Sequence, residues 1–195
     1  RSWEAERGKN LLFTVMLSQE LSFPAGRLPV LAGLALSLAL EELFGLRTEV
    51  KWPNDLLFQE KKLAGNLCEA LSMGGALPVF LIGIGVNVNQ RSFSGELAAR
   101  ACSLAQLLGR ESDLREVLAC LLGPLRAELD DPQWRERLLA RLYAFGRQVT
   151  IKAVGQEGVI LGVLEDVADD GALLVKPPGA ADHVAVYSGE LQLQE

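Results

Sequence analysis

The chain has 195 residues, of which 49% are hydrophobic and 23% charged, and its net charge is −6 at pH 7. That length can bury one good core plus a small appended module, and the composition is that of a folded globular protein, not a disordered one. An acidic balance excludes broad electrostatic attraction to nucleic acid, which needs a basic face; the longest uncharged apolar stretches, Leu28 to Leu40 and Ala76 to Asn89, are too short for a transmembrane helix.

Leu11 to Leu17 is an apolar run that predicts a central strand. Pro29 opens a helical stretch to about Phe44, closed by Gly45, with Glu41 and Glu42 on its solvent side. Pro78 to Val88 reads as another buried strand. Asp113 is placed to cap a helix carrying Leu114, Val117, Leu118, Leu121 and Leu122 at helical spacing, and Pro132 starts one more with Trp134, Leu138, Leu139 and Leu142 apolar. Strand, helix, several strands and then helices predict an α+β fold, with helices packed on a mostly antiparallel sheet.

From Arg147 the texture changes. Gln148–Lys152, Val159–Val163, Ala172–Val175, His183–Tyr187 and Glu190–Leu193 read as short strands, separated by turns at Gly155, Asp169-Asp170-Gly171 and Pro177-Pro178-Gly179. Five short strands in about fifty residues suggest a small barrel. The expected division is therefore 1–146 and 147–195. Cys68, Cys102 and Cys120 form no CxxC pattern and read as reduced thiols of a cytoplasmic protein. His183, the single histidine, reads as structural because no nucleophile motif accompanies it.

The richest stretch runs from Lys51 to Glu69, KWPNDLLFQEKKLAGNLCE. Trp52-Pro53 stiffens the entry, Asn54-Asp55 supplies turn-forming side chains, and Gln59 to Lys62 is a polar reversal between the runs Leu56–Phe58 and Leu63–Leu67. Such a hairpin holds Lys51, Asn54, Asp55 and Lys62 near one end of a sheet. Gly65 removes a side chain where a flat ligand or another backbone approaches, a β-bulge being an equally compatible reading. Asn54 and Asp55, placed after a proline, are read equally well as ligand contacts or as locks on their own turn. Gly83-Ile84-Gly85-Val86-Asn87 is not a dinucleotide fingerprint, since the third glycine and the following helix are missing.

The Lys51–Glu69 string resembles the KWPND…KxAG signature of the biotin protein ligases, enzymes that attach biotin to carboxylase carrier domains. The resemblance covers nearly the whole chain and implies a catalytic domain of the class II aminoacyl-tRNA synthetase-like biotin ligase fold, followed by an SH3-like C-terminal β-barrel. It implies ATP-dependent formation of biotinyl-5′-AMP and transfer of the biotinyl group to a lysine of the biotin carboxyl carrier protein of acetyl-CoA carboxylase, with ATP, biotin and Mg²⁺ as ligands. Lys62, directly before the xAG segment, aligns with the family's catalytic lysine. Lys51, Asn54 and Asp55 would orient ATP phosphates, with Asp55 also facing Mg²⁺; Gly65 would let the backbone meet biotin, and Asn87 would pair with an adenine edge. Arg1 and Trp3 resemble the tail of the family's glycine–arginine loop, so the expectation is that the chain starts inside that domain. Asn66 departs from the family's aliphatic residue there, and whether it faces a polar edge or a buried partner stays open. A lipoate–protein ligase and a non-catalytic biotin sensor or repressor are the alternatives; the KWPND string and the C-terminal module favour biotin. Homodimerisation is left open, no membrane is implied, and nucleic acid enters only through an N-terminal module outside this sequence.

Overall fold

The computed structural model describes residues 3–71, 77–153 and 158–194. The Arg1 and Gly155 expectations lie outside them. Two five-stranded antiparallel sheets and five helices make up the described fold, which is α+β as the element order predicts.

The first sheet contains β1 (Leu11–Ser18), β2 (Glu49–Lys51), β3 (Asp55–Phe58), β4 (Lys61–Leu71) and β5 (Val79–Val86), in the order β1-β5-β4-β3-β2. Helix α1 (Leu28–Phe44) lies across one face of it. Pro29 presets the first turn of α1, and Gly45 ends it at φ 67°, donating its N–H to the Glu41 carbonyl at 2.8 Å. The helix is buried on nearly every side, because α4 (Leu114–Leu129) and α5 (Trp134–Leu139) cover the side away from the sheet. A helix apolar all round needs such a sandwich.

Asp113 caps α4 by accepting from the Arg115 N–H. Its predicted apolar stripe is narrower than expected: Leu122 is exposed, while the helix continues past Pro124 to bury Leu125 and Leu129. Leu142, expected inside the last helix, lies beyond it, where the flanking backbone pairs with β2 through Val50 N–H to the Arg141 carbonyl (2.8 Å) and Tyr143 N–H to the Val50 carbonyl (3.0 Å). Two short helices, α2 (Leu97–Arg100) and α3 (Leu104–Leu108), are too brief to show periodicity. Ser103 and Gln106 form a capping box at α3, the one local signal of its start.

The second sheet holds β6 (Gln148–Ala153), β7 (Val159–Val167), β8 (Leu173–Lys176), β9 (Val184–Val186) and β10 (Gly189–Leu193), in the order β10-β6-β7-β8-β9. The five short strands fall where the alternation places them. His183 is half-exposed beside Glu165 at 2.8 Å, and all three cysteines are free.

Candidate active site

Directly opposed residues in an antiparallel sheet share a face, so the register sorts the first sheet into rows. One row reads Val50, Leu56, Ala64, Val86 and Leu11, all buried and turned to the core. The next reads Lys51, Asp55, Gly65, Gly85 and Leu12, on the opposite face. It begins with a cation and an anion, flattens at two adjacent glycines, and ends on an exposed leucine.

Lys62 joins this second row through an irregularity. The β3–β4 register passes from Leu56↔Ala64 to Leu57↔Lys62, so β4 carries one residue more than β3 at that point. In a regular ladder Lys62 would share the core face of Ala64; the extra residue turns it to the face of Asp55 and Leu57. The polar reversal is correspondingly tighter than expected. Only Gln59 and Glu60 form the turn, both at positive φ, and Lys61 and Lys62 already belong to the strand. Asp55 likewise opens β3 and is not part of a turn.

Lys62 Nζ lies 2.6 Å from Asp55 Oδ1 and 5.2 Å from the centre of the Trp3 ring. Gly65 is what leaves room for this pair: a Cβ there would stand 3.0 Å from Lys62 Cε and 3.2 Å from Asp55 Oδ1. Gly85 has the same role under Trp3, whose ring atoms would be 3.0 Å from a Cβ at that position. At both positions the absence of a side chain permits a close approach that a Cβ would crowd. Lys51 lies with its ammonium 5.7 Å from the Tyr143 ring centre.

Three asparagines around this row hold backbone. Asn54 Nδ2 donates to the Asn66 carbonyl at 2.7 Å, while Asn66 N–H donates to the Asn54 carbonyl at 2.8 Å. Buried Asn87 donates to the Cys102 carbonyl at 3.0 Å and to the Lys62 carbonyl at 3.4 Å, which ties its amide nitrogen to the backbone of the lysine. Asn66 has the buried partner that its polarity requires: its amide donates to the Pro29 carbonyl at 3.0 Å.

Two clefts meet at Lys62 and Trp3. One, of about 450 Å³, is bordered by Lys51, Asp55, Glu60, Arg100 and Tyr143, with Glu190 and Gln192 contributed by β10. The other, of about 520 Å³, runs over Gly65, Gly83 and Gly85 between Leu12 and Leu67. Both volumes suit a small organic ligand. The expected residues Trp3, Lys51, Asp55, Lys62 and Asn87 come together in the polar cleft, and Asn54 and Gly65 line the apolar one. Phe93, Leu97, Arg100, Tyr143, Glu190 and Gln192 were not legible as cleft residues; each comes from an element remote in sequence, and no motif marks it.

The chain is similar to proteins of known family. The model of the biotin/lipoate A/B protein ligase family matches residues 1–88, and that of the biotin protein ligase C terminal domain matches residues 144–193. A crystal structure of biotin protein ligase from Aquifex aeolicus is 31% identical, covers 95% of this chain and 82% of that one, and superposes with a TM-score of 0.81. The Aquifex aeolicus ligase in complex with biotin and ATP gives 0.84 at 29% identity, over 100% of this chain and 82% of that chain. The bifunctional ligase/repressor BirA of Bacillus subtilis is 29% identical over 200 residues, which are 99% of this chain but 61% of the relative. For the biotin--[acetyl-CoA-carboxylase] ligase of Mycobacterium tuberculosis the identity is 29%, over 98% of this chain and 72% of that protein. The chain belongs to the biotin protein ligase family. It spans about three-fifths of the length of the Bacillus relative.

Proposed function

We propose that this chain activates biotin with ATP and passes the biotinyl group to a lysine of a biotin carboxyl carrier protein. The observation that carries the reading is the Lys62 ammonium at the junction of a polar and an apolar cleft. A carboxylate and an α-phosphate repel each other by roughly 4 kcal/mol at ~4 Å and an effective dielectric near 20, so their reaction needs a fixed cation between them. An ammonium serves because it is compact and shares three donors among several oxygens. A carboxylate oxygen of biotin attacks the α-phosphorus, the bond to the β-phosphate breaks, and pyrophosphate leaves. A neutral carrier amine then attacks the acyl carbon, AMP departs with the bonding electrons, and the amine loses its proton. In this reading biotin occupies the glycine floor, and ATP occupies the cleft of Lys51, Tyr143 and Glu190.

Mg²⁺ fits as a companion of the nucleotide. No cluster of three or more metal-ligating side chains exists among the described residues, and Asp55 already pairs with Lys62. Mg²⁺ is commonly held by phosphates with one or two carboxylates and water; Asp55, with Glu190 across a shared cleft, would supply the protein oxygens. Residues 147–195 constitute the SH3-like module and 1–146 the catalytic domain. No helix among the described residues is long and apolar enough to cross a membrane.

The test is biotin-dependent pyrophosphate release. Lys62→Ala lowers the rate by about 100-fold or more, the usual cost of losing one donor that stabilises developing charge. Lys62→Arg restores little, and the exposed neighbour Lys61→Ala stays close to wild type. Equal losses at the two lysines would overturn the assignment.

A further inference from the structure

The second sheet enters the clefts through β10, where Gly189, Glu190 and Leu191 lie across from Lys51, Asn54 and Asp55. The turn between β7 and β8 ties that sheet to the first unit by polar contacts. Alternate carbonyls of this turn are each taken by a side chain from a different part of the first unit. Val167 accepts from Arg135 Nε of α5 at 2.7 Å, Asp169 from Arg27 Nε at 2.6 Å, and Gly171 from the indole Nε1 of buried Trp52 at 2.9 Å. Arg135 also pairs with Asp166 at 3.3 Å.

The backbones interlock beneath these bonds. A Cβ on Gly26 would stand 2.7 Å from the Asp170 carbonyl oxygen, and one on Gly171 would stand 2.6 Å from that of Gly26. Gly171 also sits at φ +87°, where other residues are strained. Such glycine-to-glycine contact leaves no slack for a sliding fit. Two of the three captured carbonyls receive charged donors, the stronger kind of hydrogen bond, while the third is read by a neutral indole shielded from water.

We infer that the 167–171 turn is a latch for the second sheet and that Trp52 is a positioning residue for the nucleotide cleft. Trp52 directly follows Lys51 and precedes Asn54 and Asp55, so one short segment both grips the latch and presents charge to the cleft. Engagement of the latch sets Glu190 and Gln192 opposite that segment. The apolar cleft lies mainly on strands β1, β4 and β5 and touches that segment only at Asn54. The consequence for catalysis rests on the ligase reading; the latch itself does not.

The test uses the whole chain with Trp52→Phe, which keeps the apolar body and removes the N–H, and Arg27→Met, which keeps the stem and lies outside both clefts. Each raises KM for ATP about tenfold and leaves biotin affinity within twofold. Each also speeds amide hydrogen exchange in Gly189–Leu193 but not in the β4–β5 ladder. The pair combined does little more than either alone, as expected of one device. Unchanged exchange in β10, or equal weakening of both substrates, overturns the proposal. If wild type shows no biotin-dependent pyrophosphate release, the ligase reading fails, and the exchange measurement still decides the latch.

Discussion

The two clefts that meet at Lys62 are built by opposite means. The polar one is made of side chains: Lys51, Asp55, Tyr143 and Glu190 reach it from β2, β3, the segment after α5, and β10. The apolar one is made largely by leaving side chains out, with Gly65, Gly83 and Gly85 on adjacent strands β4 and β5. A cleft of side chains is open to adjustment by substitution and by movement of the elements that supply them. A floor of glycines is set by strand register, which cannot slip without inverting every neighbouring residue. Removal of groups therefore damages the first cleft, and addition damages the second.

Strand β4 offers the sharpest contrast, since it serves the core on one face and the apolar cleft on the other. Leu63 is fully buried, so Leu63→Ala lowers unfolding free energy by about 3 kcal/mol, whereas Leu67, 61% exposed, changes it by less than about 0.5 kcal/mol on truncation. Urea unfolding of both variants checks this, and comparable losses would contradict the difference in burial between the two positions. Next in size is Gly65→Val. The new side chain meets Lys62 Cε and Asp55 Oδ1, and displacing a reacting group by about 1 Å can cost 100-fold in rate. Pyrophosphate release should fall by about that factor; a near-normal rate would show that the Lys62–Asp55 pair is not poised as described.

The smallest effect is on pH dependence. Burial pushes the Cys68 thiol up to about 12 and the Cys102 thiol up to about 11, well above the ordinary thiol range. In the unfolded chain these thiols ionise first, so between pH 9 and 11 the native state holds more protons and its stability falls as pH rises. Urea midpoints measured over that window should decline more gently in a Cys68→Ser, Cys102→Ser double variant. An identical slope would place both thiols in contact with water.

The comparison of clefts also explains what could be read from the sequence. Lys51, Asp55, Lys62 and Gly65 were legible because a hairpin makes them neighbours within fifteen residues. The long helix was legible from Pro29 and Gly45, and the second sheet from its alternating runs. A bulge in β4 is legible only as an alternative at Gly65, whereas the extra residue is Leu63, which no glycine marks, and it decides which face Lys62 takes. Asn87 was expected to read an adenine edge; it lines the polar cleft, and the bonds of its amide nitrogen to the Lys62 and Cys102 carbonyls could not be read from the motif. Glu190 and Tyr143 were invisible as cleft residues, since only the docking of distant elements brings them there.

The proposed function requires two substrates in two clefts that meet at one ammonium. Calorimetric titration of biotin, ATP and biotinyl-5′-AMP into wild type, Gly85→Val and Lys51→Ala tests it most directly. Gly85→Val should weaken biotin and spare ATP, Lys51→Ala should weaken ATP and spare biotin, and both should weaken the adenylate. If either substitution weakened biotin and ATP alike, the two clefts would be a single undivided site.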